Sequence, residues 1–187
     1  MRKLLISLTS VALAFALAIA PAATAKPNKP KTTIVETVIA LSGPSGFDGN
    51  NGDFDILRDA VVATGLDAKL DGKRQLTVFA PSDQAFLDLT GTASEADAFD
   101  VVASLGLPAV KQVLKYHIAP GKRGAKQVVA AKRIPTLLQK AKLTKRRGSV
   151  KLKDATGRKV EIVAPNAARA SNGVIHVVDG VLLPFPL

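Results

Sequence analysis

The segment that decides the fold is Ser171-Asn-Gly-Val-Ile-His-Val-Val-Asp-Gly-Val-Leu-Leu-Pro-Phe-Pro186. Asn172-Gly173 is a turn signal, and the residues that follow, 174–178, are apolar except for His176. An apolar run on both faces of the pleat predicts a strand covered on both sides, so we expect His176 in a core or at its rim. The two prolines near the C-terminus end this strand, because proline cannot donate to a β-ladder.

Two earlier segments belong with this one. Thr77-Val-Phe-Ala-Pro-Ser-Asp-Gln-Ala-Phe86 and Val113-Leu-Lys-Tyr-His-Ile118 precede it at suitable distances. In chain order the three resemble the first signature, the central Tyr-His motif and the second signature of the fasciclin domain family. The resemblance covers about residues 31–187. It implies a single domain in which helices pack against a β-sheet or β-wedge, with a role in adhesion or binding.

Residue patterns along the chain also favour an α+β domain. Helical spacing and capping residues predict helices opened by Asp53, Ser82, Ser94 and Leu107. Residues 32–41 are a helix or strand candidate, and the family resemblance favours a helix there. Residues 76–79 are predicted to form a strand that ends at the following Ala-Pro. Residues 150–153 and 159–163 alternate apolar and polar around an Asp-Ala-Thr-Gly turn, which predicts a hairpin with one buried face. Helices first and strands later are typical of an α+β fold.

The N-terminus has the pattern of a secretory signal. Met1-Arg2-Lys3 is followed by an apolar stretch from Leu4 to Ala20 and by Ala23-Thr-Ala25. We predict cleavage near Ala25, a flexible lead over residues 26–31 and a fasciclin-like domain over residues 32–187; a retained membrane anchor is the alternative. The mature protein, which has no other membrane-spanning segment, is then secreted to the extracellular space or the periplasm.

Composition excludes several classes of site. The 187 residues contain no cysteine, so this protein has neither disulfides nor thiolate metal sites.

Residues 26–110 hold seven Lys/Arg and twelve Asp/Glu, a net charge of −5, whereas residues 111–159 hold sixteen Lys/Arg and one Asp, a net charge of +15. An uneven charge of this kind indicates an electrostatic partner, or else a solubilising surface.

The basic region supplies the predicted binding residues: Lys145, Arg146, Arg147, Lys151, Lys153, Arg158 and Lys159. Lys151 and Lys153 alternate with core positions, so they share one outward face of the hairpin. Clustered cations gain affinity for a polyanion by releasing its counterions. Nucleic acid is a poor candidate because so few aromatic side chains could stack on bases. An extracellular protein, an anionic polysaccharide or the cell-envelope surface fits better, and lysines that protect a sheet edge are the structural alternative.

Chemistry at the remaining candidate residues is not expected. Neither His117 nor His176 has a metal-ligand partner at helical spacing, and no Gly-x-Ser-x-Gly elbow accompanies Ser82. We therefore predict no catalytic residue, no metal and no cofactor. The family resemblance makes Tyr116 and His117 a second candidate contact zone, since this motif supports the fold and is linked to adhesion in some members.

Two alternatives stay open. The loop Asp48-Gly-Asn-Asn-Gly-Asp-Phe-Asp55 carries oxygen side chains that suit calcium, but it fails the EF-hand register, and a loop tip with Asp53 as helix cap is simpler.

The predicted function is a secreted adhesion or matrix-binding module that docks to an anionic surface or extracellular polymer through its basic hairpin. The other candidate, suggested by some fasciclin-like proteins, is a carrier of a small apolar ligand such as a carotenoid. The oligomeric state is left open.

Overall fold

The computed structural model describes residues 30–43, 46–138, 142–144 and 150–187. The helices of these ranges are α1 (Ile34–Leu41), α2 (Asp55–Ala63), α3 (Asp67–Leu70), α4 (Asp83–Thr90), α5 (Glu95–Ser104), α6 (Leu107–Tyr116) and α7 (Ala125–Ala130). The strands are β1 (Leu76–Pro81), β2 (Ile118–Pro120), β3 (Arg133–Pro135), β4 (Lys142–Thr144), β5 (Lys151–Lys153), β6 (Lys159–Ala170) and β7 (Gly173–Val178). The mixture confirms the predicted α+β class.

The described strands form one sheet in the order β2-β1-β7-β6-β5-β4-β3. β7 pairs in parallel with β1, from Leu76 opposite Gly173 to Pro81 opposite Val178, and antiparallel with β6 on its other side. The C-terminal signature segment is therefore an interior strand, because it has a hydrogen-bonded neighbour on both edges. β3, β4 and β5 extend the sheet beyond β6 through antiparallel pairs.

Both faces of the central strands are covered by apolar side chains, as the apolar run predicted. Val78 of β1 and Ile175 of β7 belong to a cluster packed against the helices. Phe79 and Val178, on the opposite pleat face, belong to a second cluster that includes Leu152 of the hairpin. The two clusters sandwich the centre of the sheet, and the hairpin closes the second one.

Helix starts were predicted with mixed success. Ser94 caps α5 as expected, since its hydroxyl accepts from the Asp97 N–H at 3.2 Å. Asp53 as the cap of α2 is wrong: the capping position is Phe54, and Asp83 accepts from the Asp55 and Ile56 N–H groups at 2.8 and 2.9 Å. A carboxylate that is distant in sequence has replaced the local cap. Ser82 precedes α4 as predicted, but its side chain makes no capping bond.

The shortest helices and strands were not predicted from the sequence. β1 continues two residues beyond its predicted end, to Pro81. β2, β3 and β4 each span three residues, and α7 spans six. Three residues offer too little alternation to distinguish a strand from a loop. These strands are defined by their pairing in the sheet, β2 with β1, β3 with β4, and β4 with β5.

The predicted signal peptide, residues 1–25, and most of the predicted lead, residues 26–31, lie outside the described residues. Among the residues that are described, no helix is both long and apolar enough to cross a membrane.

Candidate functional site

The hairpin of β5 and β6 turns a row of cations away from the core. Leu152 and Val160 are opposite each other and buried, so their sequence neighbours point outward. Lys153 and Lys159 form the next cross-strand pair, and both are exposed. The predicted alternation of apolar and cationic residues is therefore confirmed for residues 151–153, whereas Val150 lies outside β5 and is 37% exposed.

The backbone pairing that begins in this hairpin continues across four strands. Arg133 of β3 is opposite Thr144 of β4, Thr144 is opposite Lys153 of β5, and Lys153 is opposite Lys159 of β6. Arg133 was missed by sequence reasoning, because it precedes the hairpin by almost twenty residues and β3 is very short. We call the exposed cations of this surface the basic face: Arg133, Lys151, Lys153, Arg158 and Lys159.

Charges on the basic face are only partly compensated. Lys151 forms an ion pair with Glu161, its cross-strand neighbour, at 3.0 Å. Both side chains are largely exposed, so the pair contributes little to stability. Lys153 faces Lys159, and like charges in directly opposite positions repel each other. An anion at this position would relieve that repulsion.

Three of the predicted binding residues, Lys145, Arg146 and Arg147, lie outside the described residues. They belong to the connection between β4 and β5, two strands that pair at Thr144 and Lys153. The prediction for these three stays a prediction.

Asp154 organises the turn of the hairpin. One carboxylate oxygen accepts from the Thr156 N–H at 3.0 Å, the Thr156 hydroxyl at 2.8 Å and the Arg158 N–H at 2.9 Å. The other accepts from the Leu183 N–H at 3.1 Å, near the C-terminus. Asp154 is 5% exposed, so a buried charge with four donors fixes the turn against the core.

His117 is a buried structural residue. Its Nδ1 donates to the Val113 carbonyl at 2.8 Å, and its Nε2 accepts from the Leu182 N–H at 2.9 Å. Burial lowers the pKa of this imidazole to about 4, although the Val113 carbonyl and Asp154 favour its protonated form. The neutral ring thus bridges α6 to the C-terminal segment, with both nitrogens engaged.

Tyr116 and His176 are equally inaccessible, each with no exposed surface. Burial raises the pKa of Tyr116 to about 12, and its phenol oxygen hydrogen-bonds the Ala155 backbone in the hairpin turn. His176 accepts from the Asn166 N–H at 3.0 Å and donates to the Arg123 carbonyl at 2.8 Å. Burial lowers its pKa. Tyr116 and His117 therefore lie under the surface at the position that was predicted to be a contact zone.

An apolar groove lies between α1 and α2. Its lining includes Val38, Ile39, Val61, Val62 and Ile118. Ile39 and Val62 leave about half of their surface exposed, at 47% and 59%. The enclosed volume is about 30 Å³, which is room for one or two water molecules.

The fasciclin domain model matches residues 52–184, more than two thirds of the chain, and the matched range contains β1, α6 and β7. The chain belongs to this family. The fold agrees: a pair of FAS1 domains from the insect cell adhesion molecule fasciclin I superposes with a TM-score of 0.60 at 17% identity, over 82% of this chain and 51% of that one.

Relatives of this fasciclin domain occur in bacteria and animals. Protein sll1483 of Synechocystis sp. is 39% identical over 72% of this chain and 69% of its own length. The transforming growth factor-beta-induced protein ig-h3 of Sus scrofa is 32% identical over 70% of this chain. This chain spans only 18% of the pig protein, so the similarity concerns a domain and not the whole relative.

Membership gives a coarse functional assignment. Fasciclin domains are associated with cell-adhesion and extracellular-matrix proteins, and the family is a non-enzymatic, adhesion-type fold. In the described part of the chain, both histidine rings use both nitrogens on backbone groups, which leaves neither ring available as a general base.

Proposed function

We propose that this fasciclin domain is a secreted adhesion or matrix-binding module that captures an anionic polysaccharide or envelope polymer on its basic face. The observation that carries the proposal is the cross-strand row of exposed cations, Arg133, Lys153 and Lys159, on neighbouring strands of one sheet. Lys151 and Arg158 lie beside this row. The strands fix the backbone register of these residues, so binding of a polymer has to order only their side chains.

Polyanion binding is supported by the balance of charge on this sheet. Among the described outward residues of β5 and β6, Glu161 is the one acidic residue, and it forms an ion pair with Lys151. The repulsion between Lys153 and Lys159 stores energy that an anionic group would release. The seven phenylalanines and one tyrosine of the sequence leave few aromatic rings for stacking on bases, so a sulfated or carboxylated polymer is favoured over nucleic acid.

Export is part of this proposal. The N-terminal pattern of a cleaved signal and the absence of cysteine in the sequence are compatible with an extracellular or periplasmic domain held together by core burial. Tyr116 enters the proposal indirectly, since its hydrogen bond with Ala155 holds the turn that presents the basic face.

The test is retention on a sulfated-polysaccharide column across a salt gradient. The variant Lys151→Gln/Lys153→Gln/Lys159→Gln should elute at lower salt, with the log–log salt dependence of binding reduced by about 2–3, because three counterion-releasing contacts are lost. The control Lys69→Gln/Lys73→Gln/Arg74→Gln removes the same charge from exposed positions outside the basic face. It should elute close to the wild type.

Equal losses in both triple variants would mean that net charge alone causes retention, and the basic face would not be a site. A third variant, Lys145→Gln/Arg146→Gln/Arg147→Gln, tests the predicted extension of the surface into the connection between β4 and β5. Circular dichroism of each variant checks that the fold is retained.

The apolar groove between α1 and α2 is the place where a carrier would hold an apolar ligand. A volume of about 30 Å³ is too small for an extended apolar ligand, so α1 would have to move away from α2 to admit one. We place this function second for that reason. Protein purified from its native source would absorb visible light if it carried a carotenoid, and a colourless preparation would dismiss the idea.

A further inference from the structure

Five carboxylates meet where the loop before α2 packs against the starts of α4 and α5. Asp48 and Asp53 come from the loop, Asp55 from α2, Asp83 from α4 and Glu95 from α5. Oxygens of Asp48, Asp53 and Asp55 lie within 4.8 Å of one another, and so do oxygens of Asp53, Asp83 and Glu95. Asp53 belongs to both groups and joins them into one cluster.

Three oxygens of this cluster are buried and unpartnered. Asp53 is 6% exposed, Asp55 is fully buried and Glu95 is 3% exposed. Asp53 Oδ1, Asp55 Oδ2 and Glu95 Oε1 accept no hydrogen bond from any described residue. A carboxylate oxygen removed from water without a partner is costly, and a cation held between Asp53 and Glu95 would give both of these side chains a partner.

Negative charge in the cluster exceeds the positive charge that contacts it. In the described part of the chain, the ion pair to these five carboxylates comes from Arg58, which contacts Asp55 and is shared with Asp59. A bound metal cation would balance part of this excess negative charge.

Neighbouring backbone groups already orient the carboxylates. The Gly49 N–H donates to Glu95 Oε2 at 3.1 Å, which leaves Oε1 free to ligate. Both oxygens of Asp83 accept from the first N–H groups of α2. Carboxylates that ligate a metal ion are commonly oriented by hydrogen bonds of this kind from neighbouring groups.

The donor set selects the type of ion. All of the candidate ligands are carboxylate oxygens, which suit a hard cation, and their number and spread suit the flexible coordination of calcium better than the strict octahedron of magnesium. Asp48 is exposed and gives the site an opening to solvent. The loop fails the EF-hand register because its sixth position is Asp53 instead of glycine and its twelfth position is not a glutamate. In the structure Glu95 reaches the loop from α5.

We propose that Asp53, Asp83 and Glu95 bind one calcium ion that fastens the loop before α2 to α4 and α5, while Asp48 and Asp55 add negative charge beside it. The site lies in the acidic front half of the chain, whereas the basic face lies in the second half. Calcium would thus act on the rigidity of the domain and not on the polymer-binding residues.

Calorimetric titration of the purified mature protein with CaCl₂ tests the site directly. We expect one saturable ion per chain, with an affinity in the range of about 10⁻⁴–10⁻³ M that extracellular modules show. At about 10 mM CaCl₂ and neutral pH, Tm should rise by roughly 3–10 °C relative to chelator-treated protein. MgCl₂ at the same concentration should give a smaller shift.

Variants separate this site from general ionic effects. Glu95→Gln and, independently, Asp53→Asn should abolish the calcium-dependent rise in Tm and raise the Tm of the metal-free protein, because each removes a buried charge. Asp100→Asn, an exposed position on the same helix as Glu95, should respond to calcium like the wild type. The absence of saturable binding by the wild type would overturn the proposal, as would an equal rise of Tm in wild type and Glu95→Gln. Should a variant fail to fold, the wild-type titration alone decides.

Discussion

His117 illustrates what a buried titratable residue does in this fasciclin domain. Its pKa of about 4 in the folded protein lies below the value near 6.5 expected in the unfolded chain, because burial disfavours the charged ring. Between these values the unfolded state holds a proton that the native state has released. The contribution to the free energy of unfolding is therefore complete above about pH 6.5 and is lost as the pH falls toward 4, by roughly 3 kcal/mol.

The substitution His117→Gln should remove this dependence. At neutral pH we expect the variant to be less stable than the wild type by roughly 1–3 kcal/mol, because the Val113 carbonyl and the Leu182 N–H lose a well-placed partner. At about pH 4 the deficit should shrink or reverse. The wild type loses stability there, because His117 is protonated in the unfolded chain while the buried ring resists protonation. Urea unfolding at both pH values measures the difference, with exposed Lys69→Gln as control. A deficit of the same size at both pH values would contradict the assignment.

The hairpin of β5 and β6 depends on the Asp154 turn for its position against the core. Asp154→Ala leaves three donors in the turn and the Leu183 N–H without their acceptor, so we expect the free energy of unfolding to fall by roughly 3–5 kcal/mol. Thr156→Ala removes a single hydroxyl donor and should cost about 1 kcal/mol. Denaturant unfolding compares the two. Similar losses would mean that the carboxylate does not organise this hairpin.

Elements with local signals could be predicted from the sequence, and elements defined by distant partners could not. α5 begins where Ser94 and Asp97 indicated, and the alternation of residues 150–153 gave the hairpin and its outward lysines. The α2 cap was assigned wrongly because Asp83, almost thirty residues away, supplies the carboxylate. The acidic cluster was seen only as the loop of residues 48–55, since Asp83 and Glu95 join it through packing of α4 and α5.

At the scale of the whole molecule, α1 is integral to the domain although it precedes the matched range of residues 52–184. Ile34 and Val38 are buried in the helical cluster. The Ile34 N–H donates to Asn172 Oδ1 at 2.9 Å, and the Asn172 side chain also donates to the Leu70 and Gly72 carbonyls. Asn172 was predicted only as a turn residue, yet it ties the first helix and α3 to the start of β7.

Removal of residues 30–43 should therefore destabilise the domain even though every family motif is retained. Burial of Ile34 and Val38 stabilises the fold by roughly 3–6 kcal/mol, and the truncation also leaves Asn172 Oδ1 and the Ser171 N–H without their partners. We expect a lower urea midpoint and binding of a hydrophobic dye to the exposed faces of α2 and β7. A matched chain that starts at residue 30 is the control. Equal midpoints for the two chains would show that the domain begins after α1, and α1 would then be an appendage packed on its surface.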